Sequence, residues 1–130
     1  FKRYEVIREK EQRSEAFVLD DAEIVVVAFG ASSRVARSAV VAAREEGIKV
    51  GLLRPITLWP FPTNAIEETL SHAKAFLSVE MNMGQMVDDV RLAVNGRATV
   101  DFYGRTGGVI PTPEEVLSAI KDSAKRGGVL

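Results

Sequence analysis

The sequence contains no cysteine and only one histidine, His72. Without cysteine the chain forms no disulfide and offers no thiolate to zinc or to an iron–sulfur cluster. A single histidine argues against a histidine-based metal site, so no residue is assigned to a metal. The formal net charge of -1 gives no electrostatic reason to expect nucleic acid or an anionic membrane surface as a partner.

Long hydrophobic runs are also missing. No apolar run approaches the ~20 residues of a membrane-spanning helix, and the first residues do not have the pattern of a signal peptide. We therefore expect a cytoplasmic protein that binds no membrane.

The chain has enough apolar residues for one folded domain. Hydrophobic residues make up 46% of its 130 residues, which suffices for a single core. Nine of the first fifteen residues are charged, so residues 1–16 are predicted to be a linker or arm from a preceding domain. Residues 17–130 then form the domain. The first residue is Phe1 rather than methionine, which suggests a piece of a longer polypeptide.

Strand and helix patterns alternate along this domain. Residues 24–29 are almost wholly apolar and mostly β-branched, as in a strand buried on both faces. Similar short runs predict strands at residues 48–53, 75–79 and 99–103. Because helices separate them, the crossovers are long enough for right-handed βαβ units. The pattern predicts an α/β fold with a mostly parallel sheet and helices on both faces.

Local signals predict where three helices begin. The predicted caps are Ser32 or Ser33 at the first helix, Asn64 with Glu67 at the second, and Thr112 with Glu115 at the last. The Gly30-Ala-Ser-Ser turn can also be read as a phosphate loop. It matches neither of the two nucleotide-binding glycine fingerprints, so a plain tight turn is the favoured interpretation.

Polar residues follow two of the predicted strands. Glu80, Asn82 and Gln85 come after the third strand, and Arg105 comes after the fourth. In a parallel sheet these positions lie at the carboxyl edge, where ligands and partners usually bind. Glu80 is either a general base or anchor for a neighbouring chain, or a carboxylate that caps the next helix. No histidine or lysine stands beside it to form a catalytic pair, so no residue is assigned a catalytic role.

Two aromatic residues lie in a proline-rich segment. Pro60 and Pro62 keep Trp59 and Phe61 out of any regular ladder and limit their freedom. Either these side chains pack on the domain's own short helix, or one of them anchors a subunit contact. The sequence does not decide between these two interpretations.

Five segments, taken in order, resemble one family. They are DAEIVVVAFG at 21–30, GIKVGLLRPITLWPFP at 47–62, VEMNMGQM at 79–86, YGRTGG at 103–108 and PTPEE at 111–115. The ordered set resembles the C-terminal domain of the alpha subunit of 2-oxoacid:ferredoxin oxidoreductases, of the 2-oxoisovalerate or 2-oxoglutarate type. The resemblance implies a transketolase C-terminal-like domain: three α/β/α layers around a mixed sheet of five strands, one of them antiparallel. The residue pattern itself predicts four strands, and the fifth is expected in the charged lead-in or near residues 17–19.

The resemblance also implies a reaction: a 2-oxoacid is decarboxylated on thiamine diphosphate, its acyl group passes to coenzyme A, and iron–sulfur clusters carry electrons to ferredoxin. In this family the preceding domain holds the thiamine pyrimidine ring, and the beta subunit holds diphosphate and magnesium through a Gly-Asp-Gly motif. This chain has neither that motif nor cysteine. It is therefore expected to bind no cofactor alone, to be inactive in isolation, and to serve subunit assembly and completion of the active site.

Two other functions remain open from the sequence. The first is a partner-docking domain at the C-terminus of a transketolase or of a 2-oxoacid dehydrogenase component. The second is a stand-alone module that binds a phosphorylated small molecule.

Overall fold

A computed structural model of the chain describes residues 14–56, 62–80, 85–104 and 111–129. The strands are β1 (Ser14–Phe17), β2 (Ile24–Ala28), β3 (Val50–Pro55), β4 (Ala75–Glu80) and β5 (Thr99–Gly104). The helices are α1 (Ala31–Glu45), α2 (Thr63–Thr69), α3 (Gln85–Val94) and α4 (Pro113–Arg126). Strand and helix alternate as the sequence pattern predicts.

The strands form one mixed sheet in the order β1-β3-β2-β4-β5. Neighbouring strands from β3 to β5 are parallel, whereas β1 is antiparallel to β3, with Ser14 opposite Pro55 and Phe17 opposite Leu52. This confirms the mixed five-stranded sheet that the resemblance implies. The fifth strand is β1, so the sheet begins at Ser14, within the charged lead-in and before the predicted domain start at residue 17.

Helices cover both faces of the sheet and complete three layers. On one face α1 and α4 pack together over residues such as Val26 and Leu77. On the other face α2 and α3 pack over Val25 and Phe76. Because β2 and β4 are buried along their whole length, they have the near-continuous apolar sequence that a strand covered on both faces requires.

The strand prediction for residues 24–29 is wrong at one residue. The strand ends at Ala28, and Phe29 lies beyond it with 42% of its surface exposed. Gly30 follows with a φ of 65°, in the left-handed region that suits glycine. The chain therefore leaves the sheet one residue earlier than the apolar run suggests, and a phenylalanine is left at the edge.

One of the three predicted helix caps is confirmed. At α4, Thr112 Oγ1 accepts a hydrogen bond from Glu115 N (3.2 Å), and Glu115 Oε1 accepts one from Thr112 N (3.1 Å). This is the reciprocal capping box that the spacing predicts. The other two predictions are wrong, because the N-cap positions of α1 and α2 are Gly30 and Pro62, and neither makes a side-chain cap bond.

The end of α1 is held by Arg44. Its Nε donates to Val50 O (2.8 Å), one Nη donates to Val18 O (2.8 Å), and the guanidinium pairs with Asp21 Oδ1 at 2.6 Å. One side chain thus joins the last turn of α1 to β3 and to the connection between β1 and β2. A cation in the last turn also suits the helix dipole.

Candidate functional site

Four parallel strands end at the same edge of the sheet. β2 ends at Ala28, β3 at Pro55, β4 at Glu80 and β5 at Gly104. These strand ends form the carboxyl edge, the usual place for ligands and partners in such sheets. Glu80 lies there as its position in the sequence predicts.

The Glu80 side chain turns inward and holds the start of α3. Its Oε1 accepts a hydrogen bond from Met86 N (2.7 Å), and its Oε2 accepts one from Val87 N (3.0 Å). The Ser78 hydroxyl donates to Oε2 as well (3.1 Å). Glu80 is 8% exposed, so the carboxylate is largely shielded from water and its oxygens face donors.

This geometry matches the capping interpretation of Glu80. The first amides of a helix have no partner within the helix and carry the positive end of its dipole. A carboxylate placed against two of them supplies both acceptors and negative charge. Within the described part of the chain, no histidine or lysine shares a hydrogen bond with Glu80 that would let it exchange a proton as a general base.

The other predicted site residues are not described. Asn82, Arg105, Trp59 and Phe61 lie outside the described residues, and so does the side chain of Gln85, whose backbone begins α3. The predicted grouping of these side chains around Glu80 therefore stays a prediction, as does the anchoring role of Trp59 or Phe61.

Two apolar side chains at this edge were missed by the sequence reasoning. Phe29 follows β2 with 42% of its surface exposed, and Ile56 follows β3 with 44% exposed. Both strands are central in the sheet, so the two residues stand at the carboxyl edge rather than at its flanks. Each lies one residue past the observed end of a parallel strand, whereas the sequence pattern includes Phe29 in the predicted strand 24–29 and ends the next strand at residue 53, so it gives no signal for either.

No group of three or more histidine, cysteine, aspartate or glutamate side chains in the described residues is arranged to hold a metal ion. The lone histidine has a structural contact, since His72 Nδ1 lies 2.6 Å from Ala22 O. Among the described helices, none has the length and apolar character needed to cross a membrane.

Comparison with protein families gives one match that covers most of the chain. Residues 22–116 match the family described as pyruvate:ferredoxin oxidoreductase core domain II. The chain is also 52% identical over 122 residues to the ketoisovalerate oxidoreductase subunit VorB of Methanothermobacter thermautotrophicus. That alignment covers 94% of this chain but 34% of VorB, so the chain spans about a third of this relative's length.

Solved structures show the same fold. The 2-oxoglutarate:ferredoxin oxidoreductase from Magnetococcus marinus superposes with a TM-score of 0.76 at 24% identity, covering 94% of this chain and 21% of that one. A split-gene transketolase superposes with a TM-score of 0.70 at 17% identity, covering 85% and 41%. The transketolase C-terminal-like fold implied by the sequence is thereby confirmed.

Three observations agree with one another: the five ordered segments, the family match over residues 22–116 and the identity to VorB. The chain belongs to the pyruvate:ferredoxin oxidoreductase core domain II family, within the 2-oxoacid:ferredoxin oxidoreductases that its sequence resembles.

Proposed function

We propose that the chain is a domain of the alpha subunit of a thiamine-diphosphate-dependent 2-oxoacid:ferredoxin oxidoreductase. The enzyme converts a 2-oxoacid, coenzyme A and oxidised ferredoxin to acyl-CoA, carbon dioxide and reduced ferredoxin. The observation that carries the proposal is the 52% identity to VorB over 94% of this chain. Because VorB is named for ketoisovalerate, we propose a branched-chain 2-oxoacid as the substrate.

In this proposal the domain assembles the enzyme and other parts supply the cofactors. Thiamine diphosphate, magnesium and the iron–sulfur clusters belong to the full complex. This chain does not fit them: it has no cysteine to ligate a cluster and no Gly-Asp-Gly segment to hold a diphosphate with its metal. The proposed partners are a preceding pyrimidine-binding domain, the beta subunit and the other subunits, with ferredoxin and coenzyme A acting on the complex in the cytoplasm.

The proposed contact surface is the carboxyl edge of the sheet. Phe29 and Ile56 are exposed there, and apolar side chains at such an edge suit the core of a subunit interface. Glu80 contributes by fixing the start of α3 at the same edge. The remaining proposed contact residues are Asn82, Gln85, Arg105, Trp59 and Phe61.

The test is reconstitution of the full-length subunit with its partner subunits. We expect ferredoxin reduction that requires both 2-oxoisovalerate and coenzyme A, with a lower rate on 2-oxoglutarate. A complex that prefers 2-oxoglutarate would contradict the substrate assignment, and a complex without 2-oxoacid-dependent reduction would contradict the function.

The isolated 130-residue chain provides the second half of the test. Calorimetry with thiamine diphosphate and magnesium should show no affinity beyond that of inorganic pyrophosphate with magnesium. A micromolar dissociation constant, about −8 kcal/mol, that inorganic pyrophosphate does not share would overturn the assembly role, because the chain would then hold the cofactor itself.

A further inference from the structure

A cleft of about 680 Å³ lies between the first half of α1 and the strands β1 and β3. Three arginines line it, Arg34 and Arg37 from α1 and Arg54 from β3, together with one acidic residue, Glu15 from β1. The lining therefore carries an excess of two positive charges. Its volume is within the range of small-molecule sites, ~300–1,000 Å³.

The three guanidinium groups differ in the contacts that they make with other side chains. Arg54 Nη1 pairs with Glu15 Oε1 at 3.2 Å, and the Arg37 guanidinium carbon lies 4.3 Å from the centre of the Phe17 ring. Neither an ion pair nor a side-chain hydrogen bond joins Arg34 to the described residues. The stacking of Arg37 and the pairing of Arg54 orient two cations along the wall, while Arg34 keeps all its donors available.

Arg54 also has an unused donor. Its Nε atom is buried and has no hydrogen-bond acceptor in the described residues. A buried N–H without an acceptor is unfavourable, by about 1–3 kcal/mol in typical proteins. Because Nε is shielded from solvent, an oxygen from a bound group would satisfy it only with a shift of the Arg54 side chain.

We propose that this cleft binds the phosphate group of a small molecule. A phosphate monoester carries a charge of about −2 near neutral pH, which matches the excess charge of the lining. Arginine is suited to this task, because its planar fork donates two parallel hydrogen bonds to phosphate oxygens. The site goes beyond the proposed function, since a domain that only joins subunits needs no anion-binding cleft.

Glu15 gives the proposal a second consequence. Its carboxylate occupies Arg54 Nη1 and repels an incoming anion. A phosphate must therefore bind against this charge or displace it. Neutralising Glu15 should tighten binding, whereas reversing the charge of Arg34 should weaken it.

The experiment is calorimetric titration of the 130-residue chain with inorganic pyrophosphate at low salt. Circular dichroism checks that each variant is folded. We expect saturable binding that Arg34→Glu weakens at least about tenfold, as the loss of a charge-assisted contact and the gain of a like charge imply. Arg91→Glu is the matched control, because Arg91 is an exposed arginine on α3, outside the cleft.

Glu15→Gln should tighten binding at least about threefold, whereas Glu68→Gln, which removes an exposed carboxylate from α2, should not. Absence of saturable binding by the wild-type chain would overturn the proposal. So would equal affinity in Arg34→Glu, or equal losses in Arg34→Glu and Arg91→Glu. Because no other subunit is present, these results are independent of the reconstitution experiment.

Discussion

Two helices that begin at the same edge of the sheet are held in opposite ways. α3 follows β4, and its first amides are capped by the buried Glu80 carboxylate. α1 follows the neighbouring strand β2, has no acidic residue in its first turn and no side-chain cap. It is anchored instead at its far end, where Arg44 joins it to the connection between β1 and β2 and to β3.

The two helix starts differ in whether the local charge is used to hold the fold or is available to a ligand. At α3 the chain supplies its own anion, so Glu80 is occupied in holding the fold. At α1 the first turn borders a cleft lined by arginines, and the positive charge there is only partly compensated by Glu15. Position at the carboxyl edge alone therefore does not make a polar residue functional. Its hydrogen-bond partners show whether it holds the fold or is available to a ligand.

The largest effect on stability should come from Glu80→Ala. The change removes an acceptor from Met86 N and Val87 N and leaves these amides buried without a partner. We expect a loss of about 2–3 kcal/mol in the free energy of unfolding, measured by urea denaturation. Glu68→Ala on the exposed surface of α2 is the control and should change the free energy by less than about 0.5 kcal/mol. Equal stability of wild type and Glu80→Ala would show that the cap is not structural.

Arg44→Met tests the anchor of α1. It removes the bonds to Val50 O, Val18 O and Asp21 but keeps much of the apolar stem. We expect a loss of about 2 kcal/mol in the same assay. Arg91→Met removes an exposed i,i+3 pair with Asp88 and should cost less than about 0.5 kcal/mol. Similar losses in the two variants would contradict the anchoring role.

Adjacent serines in the first turn of α1 offer a finer comparison. Ser32 is buried and its hydroxyl has no partner in the described residues, whereas Ser33 Oγ donates to Gly30 O at 2.6 Å. Ser32→Ala should therefore leave stability unchanged or raise it by up to about 1 kcal/mol. Ser33→Ala should lower it by about 0.5–1 kcal/mol. The opposite order of the two variants would show that Ser32, not Ser33, holds the turn.

The smallest effect is the pH dependence of the Arg44–Asp21 contact. The hydrogen bond from Arg44 lowers the pKa of Asp21, against a smaller opposing effect of desolvation. A lowered pKa in the folded state means that the contribution to stability is present above the ordinary aspartate value, about 3.9, and is lost as pH falls through the folded pKa. The stability advantage of wild type over Asp21→Asn should thus shrink at acidic pH, measured by urea denaturation at several pH values. An advantage that grows on acidification would contradict the sign.

The place of a strand in the sheet was predictable where apolar residues dominated its segment. The apolar runs of β2 and β4 favour central parallel strands, because strands covered on both faces have near-continuous apolar sequences. β1 was not predictable in this way. It is an edge strand of four residues whose first three are polar or small, and its position depends on pairing with β3, far away in sequence.

The candidate site was only partly predictable for a related reason. Position after a strand predicts that Glu80 lies at the carboxyl edge, but the sequence does not reveal whether the carboxylate faces outward or towards Met86 and Val87. The serine caps at α1 failed because Gly30 takes the N-cap position and Ser33 turns back to its carbonyl oxygen. Local motifs do not encode these side-chain choices, which depend on backbone direction at the turn.

The central claim is that the carboxyl edge is the assembly surface, and two exposed apolar residues test it most directly. Phe29 at that edge is 42% exposed, and Leu92, near the far end of α3, is 78% exposed. Size-exclusion chromatography of the full-length subunit with its beta subunit compares Phe29→Ser with Leu92→Ser. We predict that Phe29→Ser loses the complex while remaining folded, and that Leu92→Ser assembles like the wild type. Full assembly of Phe29→Ser would contradict the claim.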